Sequence, residues 1–197
     1  MIGVRLGEYD LDKNEDCDPD AKYCAPPQDF LIDFWVIHPH YKKQFYLNDI
    51  ALIKLDRPAN FSCANVQPIC LPVEDVDLNG RDVVVAGWGI TEKGLRSSVL
   101  TKVSVPVVKL RSCQIIYSRY APVTNTQICA GGKFGRDSCS GDSGGPLKAT
   151  GSLNGTIKFI QYGIVSYGSK QCGAKGIPGI YTKVFSFMDW ILDQLDT

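Results

Sequence analysis

Apolar residues along the chain gather into short runs rich in Val, Ile, Phe and Tyr, set off by Gly, Pro, Asn and Asp. Such runs predict β-strands, because β-branched and aromatic side chains fit a pleated, half-buried surface and the intervening residues supply turns. The predicted strands are residues 2–6, 30–37, 50–55, 83–88, 99–108, 157–166 and 179–184. With 19 Gly and 11 Pro between them, the pattern predicts an all-β sandwich or barrel and not alternating βαβ units. One helix is predicted over residues 185–195, where Phe187, Trp190, Ile191 and Leu195 recur at helical spacing. No internal repeat or low-complexity tract interrupts this pattern. An acidic stretch with Pro and Gly at residues 72–80 divides the strands into a short set, 1–72, and a set that looks complete, 73–197.

The 197 residues suffice for one domain, or for two small ones sharing a core. Lys and Arg total 21, as do Asp and Glu, so the formal charge is zero. That balance argues against nucleic acid as a partner, since neutralising phosphates takes a surplus of cations. The longest nearly unbroken apolar stretch, residues 83–90, is far short of the ~20 residues that cross a bilayer, so no membrane span is expected. Eight cysteines stand at 17, 24, 63, 70, 113, 129, 139 and 172, without paired C-x-x-C knuckles and with only two His to serve as other zinc ligands. Disulfides in an oxidising compartment are therefore expected. The sequons at Asn60 and Asn154 agree with secretion and glycosylation. Residues 1–8 hold no apolar stretch of the signal-peptide kind, so a secreted chain of this sort is expected to be part of a longer precursor.

The densest chemistry lies in Cys139-Ser140-Gly141-Asp142-Ser143-Gly144-Gly145-Pro146-Leu147. Three glycines and two small hydroxyls around an acid suit a tight turn that presents Ser143 beside backbone N–H groups aimed at one point, as in an oxyanion hole. The fragment Gly141-x-Ser143-x-Gly145 also fits a nucleophile elbow. That fold needs an Asp and then a His after the Ser, whereas both histidines here precede Ser143.

Together with further segments in register, this stretch resembles the chymotrypsin/trypsin family of serine proteases over nearly the whole chain. Asn48-Asp49-Ile50-Ala51-Leu52 is similar to the segment carrying the family's triad Asp, and Ala86-Gly87-Trp88-Gly89 to its domain-crossing strand. Ser166-Tyr167-Gly168 and Pro178-Gly179-Ile180-Tyr181-Thr182 resemble the strands walling the primary specificity pocket. The resemblance implies two antiparallel β-barrels, the first one partial, with a C-terminal helix. It implies Ser143 as nucleophile, Asp49 as the acid orienting the catalytic His, and the N–H groups of Gly141 and Ser143 as oxyanion donors. Asp137, six residues before Ser143, corresponds to the carboxylate at the pocket floor of trypsin-like members. With no side chains on Gly168 and Gly179 to obstruct the pocket, cleavage after Arg or Lys is implied. Ser166, Tyr167, Gly168 and Gly179 would contact substrate.

A serine nucleophile needs a general base, usually His. His38 and His40 lie in a segment resembling the family's surface loop before Asp49, not the Ala-Ala-His-Cys segment that supplies its base. The resemblance places that base, and the cleaved amino terminus that pairs with Asp142, before Met1. Two functions follow. One is a trypsin-like endopeptidase of a secreted cascade, inactive as the 197 residues alone. The other is a non-catalytic homologue that binds partners through the protease surface.

Glu8, Asp10, Asp12, Glu15, Asp16, Asp18 and Asp20 put seven acids within thirteen residues, opposed only by Lys13. Hard oxygen donors at this density suit Ca²⁺, which the family often binds in the equivalent loop, with Glu8 and Asp10 as ligands; a solvated acidic turn is the alternative. Cys17 and Cys24 flank the loop and would close it, as in the clip-domain proteases of arthropod immune and developmental cascades, which the chain resembles most. Family spacing further implies bridges Cys113–Cys129 and Cys139–Cys172. Cys70 resembles the cysteine that tethers a pro-region. Cys63 departs from the family pattern, and a Cys63–Cys70 bridge is one possibility. Expected partners are proteins cleaved after Arg or Lys, a tethered pro-region and serpin-type inhibitors.

Overall fold

The computed structural model describes residues 3–17, 24–91 and 93–195, without the side chains of residues 17 and 24. A three-stranded antiparallel sheet comprises β1 (Gly3–Leu6), β4 (Gln28–Ile37) and β5 (Ala51–Leu55) in the order β1-β4-β5. Between β1 and β4 lies a two-stranded ribbon of β2 (Asp16–Cys17) and β3 (Cys24–Ala25), whose register sets Cys17 opposite Cys24. A six-stranded antiparallel sheet follows: β6 (Asp82–Gly87), β7 (Thr101–Pro106), β8 (Gln127–Gly131), β9 (Pro146–Leu153), β10 (Thr156–Tyr167) and β11 (Pro178–Lys183), ordered β7-β6-β9-β10-β11-β8. Its two edges meet. Val107 bridges Ala130, and the Val108 N–H donates to the Cys129 carbonyl at 2.9 Å, which closes the sheet into a barrel and removes its free edges.

The barrel core follows from the period-2 alternation of its strands. On β6, Val83 and Val85 point inward and are buried while Val84 is partly exposed; Val105, Leu147 and Tyr181 complete the interior. The hairpin joining β9 to β10 turns on Asn154 and Gly155, both at positive φ, the conformation that matches strand twist in a two-residue hairpin. Leu147 is fully buried among these side chains. Leu147→Ala is expected to cost about 2–5 kcal/mol of stability. Urea unfolding of the two proteins checks this, and a change in midpoint too small to measure would show that the core collapses around the lost volume.

Less of the first sheet is covered. Trp35 and Leu31 on β4 are 64% and 62% exposed, and neither β1 nor β5 has a second strand partner among the described residues. Open edges of this kind invite pairing with other chains. The loop after β1 docks on the barrel through Leu11 N–H to Ser98 O, Leu100 N–H to Tyr9 O, and the Trp88 indole N–H to Tyr9 O.

Departures from the predicted elements have local causes. All five residues of β8 are buried, so it shows no alternation. Strand β9 is built largely from Lys, Ala, Thr, Gly and Ser, which carry little strand signal. Helix α1 (Leu110–Ile116) is too short to show periodicity. The C-terminal segment begins as a 3₁₀ turn, Val184–Phe187, before α2 (Met188–Leu195). Phe187 and Ile191 pack there with Ile50 and Val184 into a core beneath the start of β5.

Candidate active site

The segment between β8 and β9 folds into consecutive turns. The Asp142 N–H donates to Cys139 O at 2.9 Å and the Gly145 N–H to Asp142 O at 2.8 Å. Gly141 and Gly144 take φ of 102° and 82°, a region that side chains disfavour, and Ser143 stands exposed between them. The loop is laced to β10: the Gly144 N–H donates to Val165 O and the Val165 N–H to Gly145 O, both at 2.9 Å. The N–H groups of Gly141 and Ser143 donate to no described residue, so both are free to meet an acceptor.

Asp49 reaches the same point of β10 from the other sheet. The Ser166 hydroxyl donates to Asp49 Oδ2 at 2.6 Å, and the Thr182 hydroxyl to the Asp49 carbonyl at 2.8 Å. Adjacent residues, Val165 and Ser166, thus hold the Ser143 loop and the Asp49 carboxylate. Ser166, read from the sequence as a pocket wall, positions Asp49 as well. Thr182 was not singled out, because nothing in a single Thr announces a partner so distant in the chain.

Neither histidine joins this pair. His38 lies against Phe187 and Trp190 with ring centroids 5.1 and 5.0 Å away, and its Nδ1 accepts the His40 N–H at 3.2 Å. Burial holds the His38 pKa below its ordinary value. His40 is exposed. Among the described residues, neither ring hydrogen-bonds to Asp49 or Ser143.

The Asp142 carboxylate is held by the N–H groups of Gly89 and Cys139, each at 2.8 Å. A side chain on Gly87 or Gly89 would collide with it, so this acid needs glycine at both positions. It faces a cavity of about 520 Å³ lined by Gly87, Gly89, Asp137, Ser140 and Lys170. No described cation forms an ion pair with it.

Asp137 accepts N–H groups from Ser138 at 2.9 Å and Gly173 at 3.3 Å. A Cβ on Gly179 would sit 3.2 Å from Asp137 Oδ1, and one on Gly168 would sit 3.6 Å from Gly179 Cα, which lines up the three residues assigned to the pocket. The Tyr167 ring instead packs between Tyr46 and Tyr117, leaving its backbone as the part available to a ligand. The Cys139–Cys172 bridge ties the loop carrying Asp137 to the one carrying Gly173, and Cys113–Cys129 ties α1 to β8.

Burial pushes the Asp137 pKa up to about 6, against the pull of its two N–H donors, and the charge of Asp142 adds to the rise. A carboxyl raised in the folded state contributes stability below its unfolded pKa and loses it as pH rises through the folded one. Asp137→Asn, which cannot ionise, is therefore expected to melt higher than the parent above about pH 6, the gap closing toward about pH 4. Thermal unfolding across that range tests this. A constant gap would place the carboxylate in free solvent.

Three carboxylates of the acidic loop find partners near them. Glu8 accepts from Arg5 at 3.1 Å, Asp10 pairs with Lys13 at 2.9 Å, and Asp16 accepts the N–H groups of Tyr9 and Asp10. Among the described residues, no three His, Cys, Asp or Glu side chains gather to hold a metal, and Glu8 and Asp10 are paired with Arg5 and Lys13. Asp18 and Asp20 lie outside the described residues, as do the side chains of Cys17 and Cys24. Cys63 and Cys70 are free thiols, so the Cys63–Cys70 bridge does not form. Asn60 and Asn154 are exposed. No described helix is long and apolar enough to cross a membrane.

The family profile described as Trypsin matches residues 3–191. Phenoloxidase-activating factor 3 of Holotrichia diomphalia is 46% identical over 196 residues, covering 95% of this chain and 55% of that protein. The Spaetzle-processing enzyme of Drosophila melanogaster is 41% identical over 208 residues, covering all of this chain and 51% of its own length. The crystal structure of the Drosophila Grass clip serine protease of the Toll pathway superposes with a TM-score of 0.84 at 36% identity, covering 100% of this chain and 57% of that one. Mouse neuropsin superposes with a TM-score of 0.80 at 28% identity, covering 98% and 78%. The chain thus spans about half the length of the arthropod relatives it matches. With the profile spanning nearly every residue and these identities along its full length, the chain belongs to the trypsin family of serine proteases, alongside the clip-domain proteases of arthropods.

Proposed function

We propose that these residues form the larger part of a secreted trypsin-like endopeptidase that cleaves cascade proteins after Arg or Lys and is inactive as the 197 residues alone. The observation that carries this reading is the meeting of the Ser143 loop and Asp49 on adjacent residues of β10. In this scheme the Ser143 hydroxyl attacks the scissile carbonyl, and the free N–H groups of Gly141 and Ser143 take the charge that develops on its oxygen. Asp137 holds the substrate cation. Asp49 orients an imidazole supplied from outside these 197 residues, because the half-buried His38 packs against Phe187 and Trp190 and His40 is exposed. The cavity beside Asp142 is large enough to receive a cleaved amino terminus, whose ammonium would meet the Asp142 carboxylate. Cys70 is available to tether a pro-region, serpin-type inhibitors would engage the same site as substrate, and Asn60 and Asn154 are available to carry glycans.

The purified chain is expected to show no measurable turnover of Arg or Lys esters and negligible labelling of Ser143 by an organophosphonate, since no base is present to remove the hydroxyl proton. Efficient hydrolysis that disappears in Ser143→Ala would overturn the inactivity and return His38 or His40 to the role of base. The absence of a histidine beside Asp49 among the described residues also favours a second reading, a non-catalytic homologue that acts by binding. Mass spectrometry of the native protein separates the two. A longer chain bearing an Ala-Ala-His-Cys segment supports the protease, and a chain without one supports the homologue.

A further inference from the structure

Charge is unevenly spread behind the balanced total. Residues 93–183 hold 13 Lys and Arg against two acids, Asp137 and Asp142, and both acids point into the candidate site. Two loops gather part of this excess. Lys133 and Arg136 bracket a tight turn in which the Arg136 N–H donates to Lys133 O at 3.2 Å. That turn is sewn to the loop bearing Lys170 and Lys175 by Gly135 N–H to Gly173 O at 3.0 Å and Gly176 N–H to Gly132 O at 2.9 Å, and by the nearby Cys139–Cys172 bridge. A Cβ on Gly173 would lie 2.9 Å from Gly135 Cα, so the two backbones touch. All four cations are exposed, and none forms an ion pair or side-chain hydrogen bond with a described residue.

An aromatic ring stands in their midst. Phe134, between Lys133 and Arg136, is 82% exposed. At the flank, the Tyr117 hydroxyl donates to Pro178 O at 2.8 Å and anchors the turn that displays Arg119 and Tyr120, the latter 80% exposed. Cations alone would suit any polyanion. Cations interleaved with unburied aromatic rings suit an anion that also brings apolar side chains, since aromatic and Arg side chains supply the anchoring contacts of protein interfaces while charge complementarity selects the partner.

The geometry points to an anchoring surface, formed by Lys133, Phe134, Arg136, Lys170 and Lys175, for an acidic, aromatic-containing polypeptide segment of a partner protein. It goes beyond the protease reading and does not depend on it, because binding is read without turnover. A protein docked there would lie beside Asp137, so the surface would select partners by a second segment held next to the cavity.

Fluorescence anisotropy of the chain with a fluorescein-labelled peptide of repeating Asp-Glu-Tyr tests the proposal. Reversing Lys133, Arg136, Lys170 and Lys175 to Glu is expected to weaken binding by tenfold or more, on the order expected when several complementary charges become repulsive. Reversing four exposed cations elsewhere, Lys54, Lys109, Arg111 and Lys158, should change it by less than about threefold, since remote charges are screened. Phe134→Ala should weaken the peptide by about threefold or more while leaving heparin, run in parallel, unchanged. Single variants Arg136→Gln and Lys175→Gln, with melting temperatures measured alongside, separate lost contacts from lost folding. Equal loss from both quadruple variants would show attraction to net charge alone and overturn the proposal. Preferential binding of heparin with no effect of Phe134→Ala would overturn it in favour of a sulfated polysaccharide.

Discussion

Joining the chain to an N-terminal region that carries a histidine within reach of Asp49, and cleaving that region so that its new amino terminus meets Asp142, is expected to raise Arg-ester hydrolysis by on the order of 10⁴-fold or more. Two gains combine. A positioned base removes the Ser143 proton as the hydroxyl attacks, and an ammonium in the cavity beside Asp142 fixes the turn whose Gly141 and Ser143 N–H groups face the developing oxyanion. Both gains should vanish in Ser143→Ala. Addition of the histidine-bearing region without cleavage should give much less than the full rise, because Asp142 would still lack a cationic partner. Equal activity before and after cleavage would remove Asp142 from the scheme.

In that completed protease, Asp137→Ser is expected to lower kcat/KM for Arg and Lys substrates by on the order of 10³-fold, since the substrate cation would be desolvated beside no charge. Aromatic substrates should be unaffected or improved. The distinction matters because a merely destabilising change would depress every substrate alike. The raised Asp137 pKa adds a second mark: competitive inhibition by benzamidine should strengthen as pH rises through about 6, where the carboxyl ionises, and Asp137→Asn should abolish that dependence.

Strands with one face inward were legible because alternation is written into them, as in Val83, Val84 and Val85 of β6. Strand β8 was not, since a strand buried on both faces reads as an undifferentiated run. The Ser143 loop was legible through its glycines and its resemblance to a known family. Its lacing to β10 was not, because backbone hydrogen bonds leave no trace in residue identity. The acidic loop was legible as a cluster of acids but not in its pairing. Its density of carboxylates suggested Ca²⁺, while Arg5, Lys13 and the backbone N–H groups of Tyr9, Asp10 and Asp12 are bound to those of Glu8, Asp10 and Asp16. Composition reports how many donors are present, and only geometry reports how many remain free. The neutral total charge likewise concealed a cationic barrel surface, because acids on either side of residues 93–183 offset its cations.

The seating of Asp49 carries an implication for the order of folding. Its two hydroxyl partners, Ser166 and Thr182, lie 117 and 133 residues away along the chain, on β10 and β11. Closing loops of that length is entropically costly and slow, so these bonds form only after both barrel strands have found their register. Assembly of Asp49 against the Ser143 loop is therefore expected among the last events of folding. On the reading proposed above, a nascent or partly unfolded copy would hold Ser143 with no acid in place, so chain topology itself would withhold activity until the barrel is complete.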